Sequence, residues 1–313
     1  MLDVVTLGEA MLMLVAEEPG LLENVQRFTK RTAGAETNVA IGLARLGFAV
    51  GWQSRLGQDS MARYLLTAIG GEGVDCSRVV CDATQRTGFL FKGRVDDGSD
   101  PPIEYHRRGS AASQFGPDEI DEAWIANARH LHVSGVFPAL SPSTLAATRR
   151  AMTLARGHGK TIGFDPNLRP ALWPSQAQMR DTLNDLAAQA DWVLPGIEEG
   201  RLLTGRDTPE AIALYYRERG AGRVVVKLGA AGAYFDDIDA GCGRVAAAPV
   251  ERVIDTVGAG DGFMVGVTSA LLEGLALPEA VRRGAWIGAR AVQVRGDTEG
   301  LPTRAELHAA GLA

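Results

Sequence analysis

The sequence is poor in cysteine and histidine, and neither residue type forms a complete zinc-site motif. Its three cysteines, Cys76, Cys81 and Cys242, form no CxxC pair, and its five histidines form no HExxH and a single HxH, His130-Leu131-His132, at the start of a predicted strand. An odd, scattered set of cysteines fits reduced thiols better than a disulfide framework. The spacing therefore argues against a structural zinc site and for a reducing compartment.

Long runs of one residue character are also missing. No stretch of about 18 apolar residues predicts a membrane span. No block of Lys or Arg predicts binding to nucleic acid or an anionic membrane, and the formal net charge is −6. The opening MLDVVTLGEA enters a strand pattern at once and has no features of a secretion signal. We therefore expect a cytoplasmic protein whose partners include neither nucleic acid nor a membrane.

Two common nucleotide-binding fingerprints are absent. The Gly-x-Gly pairs never extend to GxGxxG after a strand, which gives a Rossmann dinucleotide fold little support. Gly159-Lys160-Thr161 looks like the end of a P-loop, but Leu154 replaces the first glycine and the tripeptide precedes a strand. The sequence thus lacks the fingerprints of a nicotinamide-dependent dehydrogenase and of a Walker-type NTPase.

Short apolar runs alternate with helical patterns along most of the 313 residues. This alternation predicts an α/β fold with a mainly parallel central sheet and helices on both faces. We expect a single domain spanning residues 1–313. The predicted strands are 4–8, 131–135, 161–165, 192–194 and 223–227, and the predicted helices are 36–46, 61–69 and the stretches near 143–157, 176–190 and 208–220.

Residues 85–108 interrupt that rhythm. The apolar segments 87–92 and 103–107 flank the turn-rich sequence DDGSDPP at 96–102, which is a hairpin pattern. Together with residues near 10–16, the hairpin predicts a small antiparallel sheet beside the main one. Such a sheet is able to act as a lid that excludes water from a reaction; a solvent-exposed edge ribbon is the alternative.

The segment DTVGAGDGF at 255–263 leads directly into an apolar helical run. Backbone N–H groups of Gly258, Ala259 and Gly260 at a helix N-terminus would converge on one anion, aided by the helix dipole. Asp261 is placed to take a proton from a hydroxyl that attacks a bound phosphate. The pattern predicts a phosphoryl-transfer centre; an ordinary glycine-rich helix start is the alternative.

Two segments resemble the signatures of the PfkB (ribokinase-like) carbohydrate kinases. AGAETNVA at 33–40, followed by Gly47 and Gly57, is similar to the first signature, and 255–268 is similar to the second. The resemblance extends over roughly residues 3–305. It implies a ribokinase-like fold with a small β lid, ATP as phosphoryl donor with Mg²⁺ to neutralise its phosphates, and a homo-oligomer, often a dimer that pairs the lids.

Within that family, three segments most resemble the 2-keto-3-deoxygluconate kinases: GAETN at 34–38, YHRRGSAAS at 105–113 and FDPNLRPALW at 164–173. The resemblance implies a small-molecule sugar acid, phosphorylated on its primary hydroxyl. Arg107 and Arg169 would bind its carboxylate, because a guanidinium grips a carboxylate bidentately; surface arginines in salt bridges are the alternative. The other implied sugar contacts are Gly34, Asn38, Leu90, Tyr105 and Asp297.

Nucleotide contacts also follow from the resemblance. The implied set is Asn167, Arg169, Lys227, Gly229, Gly232, Gly258 and Gly260. For the turn at 227–232 a tight hairpin is the alternative. Glu199 would act on Mg²⁺ indirectly, through water, although Gly196 replaces the asparagine of the family's Asn-x-x-Glu motif.

Other departures from the family pattern keep different functions open. Leu90 replaces a tyrosine that touches the sugar acid in the subfamily, and His106 replaces a second aromatic residue. A kinase of another sugar, such as fructose or ribose, is therefore the nearest alternative. A sugar-binding regulator without catalysis is a further one, although the presence of the Asp261 carboxylate disfavours it.

Overall fold

The computed structural model describes residues 1–95 and 101–313. The strands in these ranges are β1 (Val4–Leu7), β2 (Met11–Ala16), β3 (Phe28–Ala33), β4 (Val50–Gly57), β5 (Asp75–Asp82), β6 (Phe89–Lys92), β7 (Ile103–His106), β8 (His130–Ser134), β9 (Thr161–Asp165), β10 (Trp192–Val193), β11 (Arg223–Lys227), β12 (Ala233–Asp237) and β13 (Gly241–Val245).

The α-helices are α1 (Ala35–Arg45), α2 (Ser60–Gly71), α3 (Glu122–Asn127), α4 (Pro142–Gly157), α5 (Gln176–Ala187), α6 (Ile197–Thr204), α7 (Pro209–Arg217), α8 (Ala259–Leu272), α9 (Leu277–Ala291) and α10 (Arg304–Ala309). The predicted strands and helices of the main sheet are present, with boundaries shifted by a few residues. No helix within the described ranges combines the length and apolar character that crossing a membrane requires.

The large sheet has the strand order β13-β12-β11-β10-β9-β8-β1-β4-β5. It is parallel from β11 to β5, and only β12 and β13 run antiparallel to their neighbours. Because parallel strands end at a common edge, the residues that follow β1, β9, β10 and β11 lie near one another. That edge is where an α/β sheet of this kind is expected to bind ligands.

Both faces of the large sheet are buried, as the sequence predicts. Neighbouring residues of one strand enter different cores: Val4 packs in the cluster with α1, α8 and α9, whereas Val5 packs in the cluster with α4, α5 and α7. Val224 and Val225 divide in the same way. Strands buried on both sides explain the uninterrupted apolar runs in their sequences.

The small sheet, β3-β2-β6-β7, stands beside the large one. Its outer pairs, β2–β3 and β6–β7, are antiparallel as expected for hairpins. The central pair, β2 and β6, is parallel, and β3 was not among the predicted strands. Within the predicted turn, residues 96–100 lie outside the described residues.

Helix α8 is apolar on nearly all sides and lies buried against α1 and α9. Its crossing with α9 is close, because a Cβ on Gly266 would lie 2.5 Å from the Gly284 Cα. A helix surrounded by other elements cannot tilt without breaking core contacts. The residues at its N-terminus, including Asp261, are therefore held at a fixed position.

Candidate active site

A cavity of about 1140 Å³ is lined by residues of both sheets. The large-sheet body contributes the loops after its parallel strands and the start of α8, and the small sheet contributes β2, β6 and β7. Each of the predicted site residues lines this one cavity: Gly34, Asn38, Leu90, Tyr105, Arg107, Asn167, Arg169, Glu199, Lys227, Gly229, Gly232, Gly258, Ala259, Gly260, Asp261 and Asp297. The fold thus brings together segments that are more than two hundred residues apart.

The turn before α8 has the geometry of an anion site. Gly258 is the N-cap residue with φ of 84°, and a Cβ there would lie 2.7 Å from the Asp297 carbonyl oxygen. The N–H groups of a helix's first turn have no intrahelical acceptor. Those of Gly258, Ala259 and Gly260 are therefore available to an anion in the cavity, where the helix dipole adds positive potential.

Asp261 follows in the first turn of α8 and is 9% exposed. Its carboxylate accepts hydrogen bonds from the Asn38 Nδ2 at 2.7 Å and from the Asn167 Nδ2 at 3.3 Å. Burial raises the pKa of Asp261 to about 7; the Asn38 hydrogen bond opposes the shift, and nearby Asp165 adds to it. A carboxylate with a pKa near neutrality is suited to general-base catalysis.

The start of α1 brings Asn38 to this carboxylate. Gly34 precedes the helix with φ of 155°, and a Cβ there would lie 2.4 Å from the Glu9 carbonyl oxygen. Only glycine tolerates that approach. Asn38 donates to Asp261, and its own Oδ1 is buried without a hydrogen-bond partner in the part of the chain that the structure describes. That oxygen is available to a ligand hydroxyl.

The two arginines expected to bind a carboxylate differ in their surroundings. Arg107 is buried, and its Nε and Nη2 contact the Glu9 Oε2 at 2.7 and 2.5 Å. Arg169 is largely exposed and donates to the Leu168 carbonyl at 2.8 Å. Arg107 thus has a carboxylate partner within the chain, and Arg169 has carbonyl contacts. Glu9 was not predicted, although its place directly after β1 was a usable signal.

A second buried cation on the small sheet was also missed. Lys92 is 2% exposed and lines the cavity. Its Nζ lies 2.5 Å from the Asp255 Oδ2 and 3.3 Å from the Asp297 Oδ1. Alternation along β6 puts Lys92 on the same face as Leu90, so its orientation could have been deduced from the strand pattern. Asp297, expected to contact the sugar acid, is thus already paired with a cation.

Apolar and aromatic side chains complete the small-sheet wall. Leu90 packs with Met11, Met13 and Ala33 in a compact cluster on the cavity side. Tyr105 lies on β7 and remains 44% exposed, with the Arg107 guanidinium 5.8 Å from its ring centre. Apart from Arg107 and Lys92, the wall therefore offers a ligand one hydroxyl and a predominantly apolar surface.

At the other side of the cavity, Lys227 ends β11. Its Nζ lies 2.9 and 3.0 Å from the two carboxylate oxygens of Asp165 at the end of β9. The turn with Gly229 and Gly232 follows directly, as predicted. Asp165 is a further residue that sequence reasoning did not select, although it ends a parallel strand.

An apolar surface extends from this turn along α9 and the loop before α8. Its cavity-lining members are Ala247, Ala248, Val250, Val253, Ala285, Ala289 and Val292. A flat apolar surface beside backbone N–H groups is suited to a purine ring. The residues that line the cavity thus divide it into a polar half and an apolar half.

Glu199 is fully engaged with backbone groups. Its Oε1 accepts from the Leu168 N–H at 2.8 Å and its Oε2 from the Gly196 N–H at 2.6 Å. Over residues 1–95 and 101–313 no cluster of three or more potential ligands forms a metal cage. Mg²⁺ bound to phosphates keeps several waters and uses one or two carboxylates. Asp165 and Glu199, both on the cavity wall, are two carboxylates that could contact such an ion through its waters.

The two sheets and the cavity between their residues are those of a ribokinase-like carbohydrate kinase. A structure of a PfkB protein from Polaromonas sp. JS666 is 66% identical, with a TM-score of 0.92 over 99% of this chain and 100% of that chain. A model of pfkB family carbohydrate kinases matches residues 1–304. The chain belongs to the PfkB family of carbohydrate kinases.

Two further relatives cover nearly the whole chain. The 2-dehydro-3-deoxygluconokinase of Bacillus subtilis (strain 168) is 51% identical over 98% of this chain and 94% of its own length. A protein of E. coli, provisionally assigned as ribokinase II and solved with ATP and Mg²⁺, is 25% identical. Its TM-score is 0.90, over 99% of this chain and 98% of that one.

Proposed function

We propose that this carbohydrate kinase transfers the γ-phosphate of ATP to the primary hydroxyl of 2-keto-3-deoxygluconate, also called 2-dehydro-3-deoxygluconate. The observation that carries the proposal is the buried Asp261 carboxylate beside the N–H groups of the turn at 258–260. Arg107 and Arg169 in the same cavity favour an acidic sugar over a neutral one. The name of the B. subtilis relative supports the same substrate.

Asp261 acts as the general base in this mechanism. It accepts the proton of the sugar hydroxyl as the oxygen attacks the γ-phosphorus, and the bond to the β,γ-bridging oxygen breaks. The N–H groups of Gly258, Ala259 and Gly260 stabilise the negative charge on the transferring group. Because positioning and charge stabilisation carry most of a phosphoryl transfer, this fixed turn supplies much of the catalysis.

The sugar lies against the small sheet in this proposal. Gly34 and Asn38 bind its hydroxyls, and the unpartnered Oδ1 of Asn38 accepts a hydrogen bond from one of them. The Tyr105 hydroxyl donates a hydrogen bond to a further oxygen of the sugar acid, and Leu90 packs against its deoxy carbon. Asp297 faces the hydroxyl groups of the sugar acid. Arg107, held by Glu9, presents its remaining N–H groups to the carboxylate. Closure of the small sheet as a lid would exclude water from the transferring phosphoryl group.

ATP lies across the turn at 227–232 and the apolar surface of α9. Lys227, Gly229 and Gly232 contact the phosphates, together with Asn167, Arg169, Gly258 and Gly260, and the purine packs on the apolar surface. Mg²⁺ would be held by the ATP phosphates and, through water, by Asp165 and Glu199. When bound it neutralises phosphate charge. ATP and Mg²⁺ in the E. coli relative support this donor and metal.

A coupled ADP-release assay over a panel of sugars tests the proposal. The panel contains 2-keto-3-deoxygluconate, gluconate, fructose and ribose, each with and without Mg²⁺. We expect the highest kcat/KM with the keto-deoxy acid, and a phosphomonoester on its primary carbon by ³¹P–¹H NMR. A higher kcat/KM with fructose or ribose would favour a neutral-sugar kinase. Sugar binding without turnover on the whole panel would favour the regulator.

A second copy of this chain is the partner we propose for the outer face of the small sheet. That face carries an aromatic cluster in which Phe28 and Phe91 rings are 5.3 Å apart and Phe89 stacks on His106 at 4.6 Å. Pairing of two such faces would bury this cluster. Light scattering after size exclusion should give a dimer or a higher multiple in a cytoplasm-like reducing buffer, and a monomer for Phe91→Ser.

A further inference from the structure

Lys92 and Asp255, two members of a buried ion cluster at the boundary of the two sheets, have no part in the chemistry described so far. The Lys92 ammonium comes from β6 of the small sheet, whereas Asp255 and Asp297 belong to the large-sheet body. All three side chains are less than a tenth exposed. A buried charge is stable only when it is paired and hydrogen-bonded, so this cation and these carboxylates depend on one another.

Both acidic residues contact the proposed phosphate-binding turn, Asp255 through its carboxylate and Asp297 through its backbone. The Asp255 Oδ1 accepts from the Val257 N–H at 3.1 Å and its Oδ2 from the Gly296 N–H at 3.4 Å. Asp297 packs directly on Gly258, since a Cβ there would lie 3.1 Å from the Asp297 Cα. The ammonium therefore joins the segment before the turn to the segment packed against it.

We propose that Lys92 is a positioning residue for phosphoryl transfer: its ammonium clamps Asp255 and Asp297 and so fixes the N–H groups of the turn at 258–260. The inference rests on the proposed function, because it assigns those N–H groups to the γ-phosphate. Because Lys92 lies on the small sheet, the anion site forms only when that sheet is in the position seen here. Without the cation, two buried carboxylates face each other and the turn between them shifts.

The first test replaces Lys92 with methionine, which keeps the chain length and removes the charge. A displacement of about 1 Å in a reacting group costs about 10²-fold in rate. We expect Lys92→Met to lower kcat by about 10- to 100-fold, with KM for the sugar acid changed by less than about threefold. The matched control is Lys30→Met, an exposed lysine of β3 in the same sheet, which should keep the wild-type kcat.

A chemical-rescue experiment separates the charge from packing. Lys92→Ala leaves space for a small cation between the two carboxylates. Ammonium chloride should restore kcat at least about fivefold, whereas tetramethylammonium chloride at equal ionic strength, too large for the space, should not. If Lys92→Met does not fold, Lys92→Met/Asp297→Asn removes one charge of each sign; we expect it to regain a cooperative melting transition but not the wild-type kcat.

A binding measurement tests the clamp without turnover. The ratio of the affinities for a non-hydrolysable ATP analogue and for ADP reports contact with the terminal phosphate. Calorimetry should show that this ratio falls about tenfold in Lys92→Met and stays unchanged in Lys30→Met. An unchanged ratio, a wild-type kcat in folded Lys92→Met, or a loss that ammonium does not reverse would overturn the clamp. Absence of turnover in the wild-type protein on every sugar would instead overturn the proposed function.

Discussion

The two ends of the cavity are built in different ways. At the proposed phosphate end, the groups that face the cavity are backbone N–H groups of the turn at 258–260, at the start of a buried helix. At the proposed sugar end they are side chains of the small sheet and its flank, among them Tyr105 and Arg107, and Arg107 is already paired with Glu9. The first end presents backbone groups and the second presents side chains, although long-range ion pairs support both.

This difference has consequences for substitutions. A backbone-built anion site changes only when the turn or a residue that holds it, such as Lys92, changes, so few substitutions reach it and each has a large effect. A side-chain-built sugar site can change its selectivity through single residues, but each charge removed leaves a buried partner behind. We therefore expect the phosphate end to control kcat and the sugar end to control the choice of acceptor.

The largest effect is expected from Asp261→Asn. The amide preserves the size of the side chain but cannot accept the hydroxyl proton, and general-base catalysis contributes about 10²- to 10⁴-fold. We expect kcat to fall by that factor, with calorimetric affinity for the sugar acid within about threefold of wild type. The control is Asp181→Asn, because that side chain is 74% exposed. A kcat within tenfold of wild type would remove Asp261 from the role of base.

A smaller but still large loss is expected from Gly258→Ala. Its φ of 84° strains any L-residue, and the new methyl group would overlap the Asp297 backbone. Loss of one anion-site donor costs about 10²- to 10³-fold in kcat, so we expect a decrease near the lower figure. Gly274→Ala is a matched control, since its φ is also 84° and no atom lies within 4 Å. If Gly274→Ala lowered kcat as much as Gly258→Ala, backbone strain alone would explain the loss and the anion site would not be involved.

At the sugar end, Arg107→Lys should change selectivity more than rate. Lysine keeps a positive charge for Glu9, so the protein should fold, but it loses the planar fork that binds a carboxylate bidentately. We expect KM for the sugar acid to rise about tenfold, with kcat and activity on fructose little changed. The neighbouring Arg108→Lys, on an exposed side chain, is the control. An unchanged KM would leave Arg169 as the carboxylate ligand.

The same contrast explains what could be predicted from the sequence. The main sheet was predictable because strands buried on both faces are continuously apolar, and the turn before α8 was predictable because glycine marks a positive φ. β3 was not predicted because its sequence, FTKRTA, is polar and becomes a strand only by pairing with β2. Its identity as a strand depends on tertiary contact.

Side-chain pairing was equally inaccessible. Arg107 was expected to bind a substrate carboxylate, which stays a prediction, and its bond to Glu9 joins residues 98 positions apart. Nothing in local periodicity indicates such a pair. Lys92 could have been placed on the cavity face by alternation with Leu90, but its two carboxylate partners follow only from the packing of the small sheet against the body.

The smallest predicted effect is the pH dependence of the phosphate end. Burial raises the pKa of Asp261 to about 7. A base must be deprotonated, so kcat/KM should be constant above pH 7 and fall about tenfold for each pH unit below it. In the free protein, ¹³C NMR of labelled aspartate should show one carboxyl titrating near neutrality, and Asp261→Asn should remove that resonance. A resonance that titrates near 4, the ordinary range of an aspartate, would mean that the cavity is wetter than its burial indicates. The Asp261 base would then be ionised throughout the neutral range, and kcat/KM would not begin to fall until the pH fell to about 4.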